Sequence, residues 1–122
     1  MQEITDVGKF ELLSETQKMK NQGFRLAQVC ATKPVSNPEN LILLYSFANE
    51  EQLKSLRITL EQDEKIESIS GLYPYAFIYE NEMKDLFGVK VEDINLDFKG
   101  NFYKTSIKTP FISEKEEVRT DG

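Results

Sequence analysis

Three carboxylates within residues 80–85, Glu80, Glu82 and Asp85, are the first candidates for chemistry in this chain. Two acids on either side of a scissile bond can act as acid and base, as in glycoside hydrolysis. On a helix, however, positions 80 and 82 project about 200 degrees apart and cannot flank one bond. Glu82 and Asp85 share a side, but no other catalytic group accompanies them. A surface ion pair between Glu80 and Lys84 at i,i+4 is a simpler expectation for the first of the three.

Other routes to catalysis are closed by composition. The chain has no histidine, which excludes a Ser-His-Asp triad, a Cys-His dyad and a His-ligated metal. Its one cysteine, Cys30, permits no internal disulfide, fits a reducing compartment and cannot hold an iron–sulfur cluster alone. Cys30 lies in a strand-like stretch and reads as a small buried hydrophobe rather than a reactive thiol. The six glycines are isolated, so no phosphate-cradling loop is present. A net charge of −6, with only the scattered Lys99, Lys104 and Lys108 toward the end, argues against nucleic acid as a partner. The longest apolar run, residues 41–45, falls far short of the roughly 20 residues of a membrane-spanning helix. Residues 1–6 lack the features of a signal peptide. No catalytic, cofactor-binding or metal-binding residue is expected, and no direct membrane insertion.

The elements that position the carboxylates follow from periodicity. Good helix formers fill residues 6–21, with Asp6 as a cap and Val7, Phe10, Leu13 and Gln17 as a modest stripe; Gly23 follows the end. Two-fold alternation predicts strands at 24–31, 41–47 and 56–60, the second central and paired with the third in a hairpin. Proline and asparagine mark a loop over 33–40. Pro74 opens and Gly88 closes a second helix over 74–87, followed by a short extended piece at 89–91. The whole predicts an α+β two-layer sandwich, with helices on one face of a mostly antiparallel or mixed sheet, and an irregular C-terminal arm. Residues 1–92 form the domain, 93–112 the extended arm, and 113–122 a charged, disordered tail.

On the second helix, Tyr75, Ala76, Tyr79, Met83, Leu86 and Phe87 gather on the face expected to rest on the sheet, with Glu80, Asn81 and Lys84 opposite. Phe77 and Ile78 fall outside the core face, and Glu82 lies at its edge. Two readings are compatible with this. Single exposed hydrophobes are common on any surface; alternatively these two, beside Asn81 and Asp85, belong to a partner-binding patch.

The run from Ser68 to Val89, Ser-Ile-Ser-Gly-Leu-Tyr-Pro-Tyr-Ala-Phe-Ile-Tyr-Glu-Asn-Glu-Met-Lys-Asp-Leu-Phe-Gly-Val, resembles the signature of the NuoC-type, thirty-kilodalton subunit family of respiratory complex I. In that family a Ser-Ile or Ser-Val step leads through an alanine to Glu-Arg-Glu, then to Asp-Leu-Phe-Gly and an aliphatic residue. Ser68, Ala76, Glu80, Glu82, Asp85, Phe87, Gly88 and Val89 occupy those places, with Asn81 where complex I usually has arginine. The Tyr-Glu-Asn-Glu wording is more similar to the small soluble subunit of energy-converting, membrane-bound NiFe-hydrogenases. So is the stretch from Asp93 to Tyr103, which replaces a histidine-containing segment of complex I.

The resemblance implies a non-catalytic structural or assembly subunit of a hydrogenase- or NADH dehydrogenase-like complex, bridging a large catalytic subunit and a small iron–sulfur subunit. The NiFe centre and the iron–sulfur clusters would reside in those partners, and this chain would bind none. It would lie on the cytoplasmic face of the cell membrane through its complex. Two contact zones are expected: Phe77, Ile78, Asn81, Glu82 and Asp85 on the helix, and Phe98, Phe102 and Tyr103 on the arm, ordering along a neighbour on assembly. The arm could equally cross its own sheet and cover an edge. A free-standing α+β binding or regulatory domain is the rival expectation, although no pocket chemistry can be named for it.

Overall fold

The computed structural model describes residues 2–37 and 39–94. The elements run β1 (Gln2–Asp6), a 3-10 turn (Lys9–Glu11), α1 (Leu12–Asn21), β2 (Arg25–Thr32), β3 (Leu41–Ala48), β4 (Leu53–Leu60), β5 (Lys65–Glu67), α2 (Ala76–Phe87) and β6 (Lys90–Glu92). Four strands make one sheet in the order β1-β4-β3-β2, and β5 and β6 form a separate parallel pair. Within the larger sheet β2, β3 and β4 are antiparallel neighbours, while β1 joins β4 in parallel. The fold is thus α+β with a mixed sheet, as the alternation and element order imply. The expected arm and tail lie outside the described residues, with Phe98, Phe102 and Tyr103.

The β3–β4 hairpin carries the centre of the core. Leu43, Tyr45 and Phe47 from β3 and Leu56, Ile58 and Leu60 from β4 are all buried on one face, as period-two alternation dictates. Arg57 and Thr59 alternate outward. The other face is not wholly solvated: Ser46 and Ser55 are buried there and bonded hydroxyl to hydroxyl at 2.9 Å. That pairing satisfies both polar groups, as burial requires.

The N-terminal reading needs correction. Residues 2–6, to which the pattern assigns no element, are a strand, and Asp6 ends it rather than capping a helix. It receives two bonds from Arg57, Nε to Oδ1 at 2.7 Å and Nη2 to Oδ2 at 3.0 Å. The helix proper starts at Leu12, preceded by a turn in which the Gly8 amide donates to the Glu11 carboxylate at 2.9 Å. This later start sets a different phase. Leu12, Thr16 and Met19 face the core at i, i+4 and i+7, while Phe10 is 90% exposed and Leu13 is 40% exposed. A five-residue polar strand has too little alternation to compete with the strong helix formers that follow it, so only its pairing with β4 reveals it.

β2 contains an irregularity that matters below. Its register against β3 slips between Leu26 and Gln28, leaving Ala27 as the extra residue of a bulge. The Ala27 carbonyl accepts from the Tyr79 hydroxyl of α2 at 3.3 Å, and the Phe24 carbonyl accepts from Tyr73 at 2.7 Å. Two tyrosines therefore staple the segment around α2 to the beginning of β2.

Candidate partner-binding helix and its buried carboxylate

α2 ends as its sequence demands. Gly88 takes the left-handed conformation, φ 71°, and its amide closes on the Lys84 carbonyl at 3.1 Å. A residue with a Cβ is disfavoured there, which explains a glycine at that position. Val89 then turns back into the core and leads to β6.

The buried face of α2 only partly matches the one that an apolar pattern selects: Ala76 and Met83 are in the core and Tyr79 and Phe87 pack against it, as expected, but the face is rotated away from Tyr75 and Leu86. Ala76, Glu80, Asn81 and Met83 are buried, whereas Tyr75 is 76% exposed and Leu86 is 48% exposed. Glu80 and Asn81, expected to face outward, lie inside. The Glu80–Lys84 ion pair does not form; Glu80 is fully buried and looks toward the segment entering the helix. Its Oε2 accepts the Ile69 amide at 2.8 Å and its Oε1 lies 2.6 Å from the Ser68 hydroxyl. Asn81 donates its side-chain amide to the Phe77 carbonyl at 2.8 Å, one turn back.

Ser68, Ser70 and Glu80 form a small network whose direction depends on one proton. The Ser68 oxygen lies 2.8 Å from the Ser70 hydroxyl and also accepts the Ser70 amide at 2.9 Å. Ser68 has a single hydroxyl proton, so it serves Glu80 or Ser70 but not both. With Glu80 ionised, Ser68 donates to the carboxylate. With Glu80 neutral, the acid donates to Ser68, which passes its own proton on to Ser70. Burial pushes the Glu80 carboxyl up to about 7, against the opposing pull of the bonds from Ser68 and Ile69. Tyr45, fully buried on β3, is raised as well, first by burial and then by the charge of Glu80. Its hydroxyl finds no hydrogen-bond partner among the described residues. Among the described residues no cation offsets the carboxylate, so the proton is the economical neutraliser.

The remaining candidates divide. Phe77, Ile78 and Asp85 are half-buried, and Glu82 is exposed. Glu82 joins no ion pair among the described residues. The acids Glu80 and Glu82 therefore point to different places, one into the fold and one out of it, as the 200-degree separation on a helix requires. Ser68, Ala76, Glu80 and Val89 are internal, Phe87 is half-buried and Gly88 ends the helix. Among the described residues no group of three or more His, Cys, Asp and Glu side chains is arranged to hold a metal ion.

The profile of the family described as the respiratory-chain NADH dehydrogenase 30 Kd subunit matches residues 6–100. The chain belongs to that family. The match spans α1, the central hairpin and α2, so family membership covers the motif helix and the sheet that seats it. A solved chain from the membrane-bound sulfane sulfur reductase, an archaeal respiratory membrane complex, superposes with a TM-score of 0.68 at 16% identity, covering 100% of this chain and 86% of that one. That similarity is one of fold. No curated protein sequence matches.

Within the 30 Kd subunit family frame, the motif residues acquire structural reasons. Ser68 and Glu80 are two ends of one latch, Ala76 is the small residue at the crowded start of α2, and Gly88 is its left-handed stop. Residue chemistry alone did not disclose Ser70, Tyr45 or the Ile69 amide as neighbours of Glu80. The available signal was the pairing of an upstream serine with the first glutamate in one motif, which was legible as a pattern but not as a contact.

Proposed function

We propose that the chain is a non-catalytic structural or assembly subunit of a membrane-bound redox complex of the energy-converting NiFe-hydrogenase or complex I-like type. It bridges a large catalytic subunit, of NiFe or quinone-reactive kind, and a small iron–sulfur subunit. The NiFe centre and the clusters belong to those partners, and the chain lies at the cytoplasmic face of the membrane through them. No helix among the described residues is long and apolar enough to cross a membrane, so attachment through partners is the economical arrangement.

One observation carries this reading: the motif divides between the fold and the surface. Glu80 is occupied internally by Ser68 and Ile69, whereas Glu82 is exposed and joins no ion pair among the described residues. A carboxylate beside half-buried Phe77 and Ile78 suits a partner's arginine or backbone amides. Membership in a family of complex subunits supports the same reading, as does a fold shared with a chain of a respiratory membrane complex. The absence of histidine and the single cysteine agree with a chain that leaves redox chemistry to its neighbours.

The test is affinity isolation of the tagged chain from gently solubilised membranes under anaerobic conditions, followed by mass spectrometry. Recovery of a NiFe-type large subunit together with iron–sulfur proteins, reduced by Glu82→Lys, is the expected result. A chain recovered alone, while those proteins are detected elsewhere in the same extract, overturns the proposal and leaves a free-standing binding domain.

A further inference from the structure

Among the described residues the order β1-β4-β3-β2 leaves the sheet with two edges, β1 and β2, and they are protected very differently. β1 carries two acids, Glu3 and Asp6, in five residues, and charge along an edge discourages further pairing. Among the described residues β2 is blunted only at its beginning, by the bulge at Ala27 and by the tyrosines bonded to the Phe24 and Ala27 carbonyls. Beyond the bulge, Gln28-Val-Cys-Ala-Thr32 has no charged residue.

A groove follows this open half. Gln28, Val29, Cys30 and Ala31 line it in succession, opposite the outer side of α2. A sheet face shows only alternate residues, so four consecutive ones place the groove along the edge of the strand. Its floor is apolar, with Val29, Ala31 and Met83 buried beneath it. Its rim carries Leu86, 48% exposed, and Glu82 one turn before it. The volume, ≈ 230 Å³, is below the roughly 300–1,000 Å³ of small-molecule sites and suits one or two side chains.

We propose that a partner subunit adds an extended, basic segment to β2 at Gln28–Thr32 as a fifth strand, seats an apolar side chain in the groove and pairs a lysine or arginine with Glu82. The inference rests on the assembly reading above. Main-chain pairing at an open edge supplies affinity, and the groove with its single carboxylate supplies selectivity. Charge selects the occupant. Two copies of this chain, each of net charge −6, repel, and Gln28–Thr32 of a second copy holds no cation of its own for Glu82; a basic segment meets complementary potential.

The test uses the full chain alone and in the complex isolated through its tag. Hydrogen exchange at residues 28–32 is expected to slow at least tenfold on assembly. Gln28→benzoylphenylalanine is expected to cross-link, on irradiation, to one partner peptide that contains lysine or arginine. Glu82→Lys is expected to weaken retention of that partner at least tenfold, while Glu3→Lys on the opposite edge leaves it unchanged. Partners retained with exchange at 28–32 as fast as in the free chain overturn the docking proposal and leave the assembly reading standing. A cross-link to a second copy, or to residues 95–122 of the same chain, also overturns it. A chain isolated without partners removes both proposals together.

Discussion

Replacing Glu80 by glutamine isolates the protonation of one buried group. The glutamine keeps the shape of the neutral acid: its carbonyl can accept the Ile69 amide, and its NH₂ can donate to Ser68, which then donates to Ser70. It therefore fits the neutral arrangement of the network and removes the charge. The wild-type carboxyl titrates at about 7 in the fold against 4.5 for the free side chain. At about 1.4 kcal/mol per tenfold in proton affinity, that difference amounts to about 3 kcal/mol. The sign follows from linkage. The folded state holds this proton more tightly than the unfolded chain, so the contribution is fully present below pH 4.5. It is lost progressively as pH rises to 7 and is gone above that. Urea unfolding of both proteins at pH 5, 6, 7 and 8, compared pairwise, cancels the other titrating groups. Glu80→Gln is expected to gain on wild type by about 2–3 kcal/mol between pH 5 and 8. A difference that stays constant with pH, or that moves in favour of wild type as pH rises, refutes the account of Glu80 as a carboxyl kept neutral by burial.

Three further outcomes are expected. Gly88→Ala should destabilise by about 1 kcal/mol in thermal or urea unfolding; among the described residues nothing beyond its chain neighbours lies within 4 Å of the added Cβ, so the effect is conformational strain at φ +71° and not a clash. Leu12→Ala should cost about 2–5 kcal/mol and Phe10→Ser less than about 0.5 kcal/mol, because Leu12 is fully buried and Phe10 is 90% exposed; equal effects would restore the helix phase with Phe10 inward. Tyr45→Phe should leave stability within about 1 kcal/mol of wild type or raise it, since the deleted hydroxyl is buried without a partner among the described residues. A loss of several kcal/mol would show that the hydroxyl is bonded after all.

The parts of the fold that were legible in the sequence are those where one periodicity dominates. Leu56, Ile58 and Leu60 against Arg57 and Thr59 can only be a half-buried strand, and the apolar run from Leu41 fits a strand with neighbours on both sides. Pro74 and Gly88 bracket α2 to within two residues of its observed limits. β1 was not legible because Gln-Glu-Ile-Thr-Asp has no local signal; its partner, Leu53–Arg57, lies some fifty residues away. The phase of α1 failed with it, since the helix begins only after that strand and the Gly8 turn. The candidate site was half legible. The resemblance located the motif, and helix geometry separated Glu80 from Glu82. Which of the two went inside was not readable, because a glutamate is normally assigned to the surface. What reverses that assignment is a serine hydroxyl twelve residues upstream and a main-chain amide eleven residues upstream.

The parallel seating of β1 beside β4 also sets an order of events during synthesis. Asp6 and Arg57 are 51 positions apart, and at about 5–20 residues per second a ribosome needs roughly 3–10 s to make that interval. Throughout that wait the first strand has nowhere to go, because the surface it joins has not been translated. The β3–β4 hairpin, closed by a short turn, can form at once. The beginning of this chain is therefore the last edge of its sheet to be laid down.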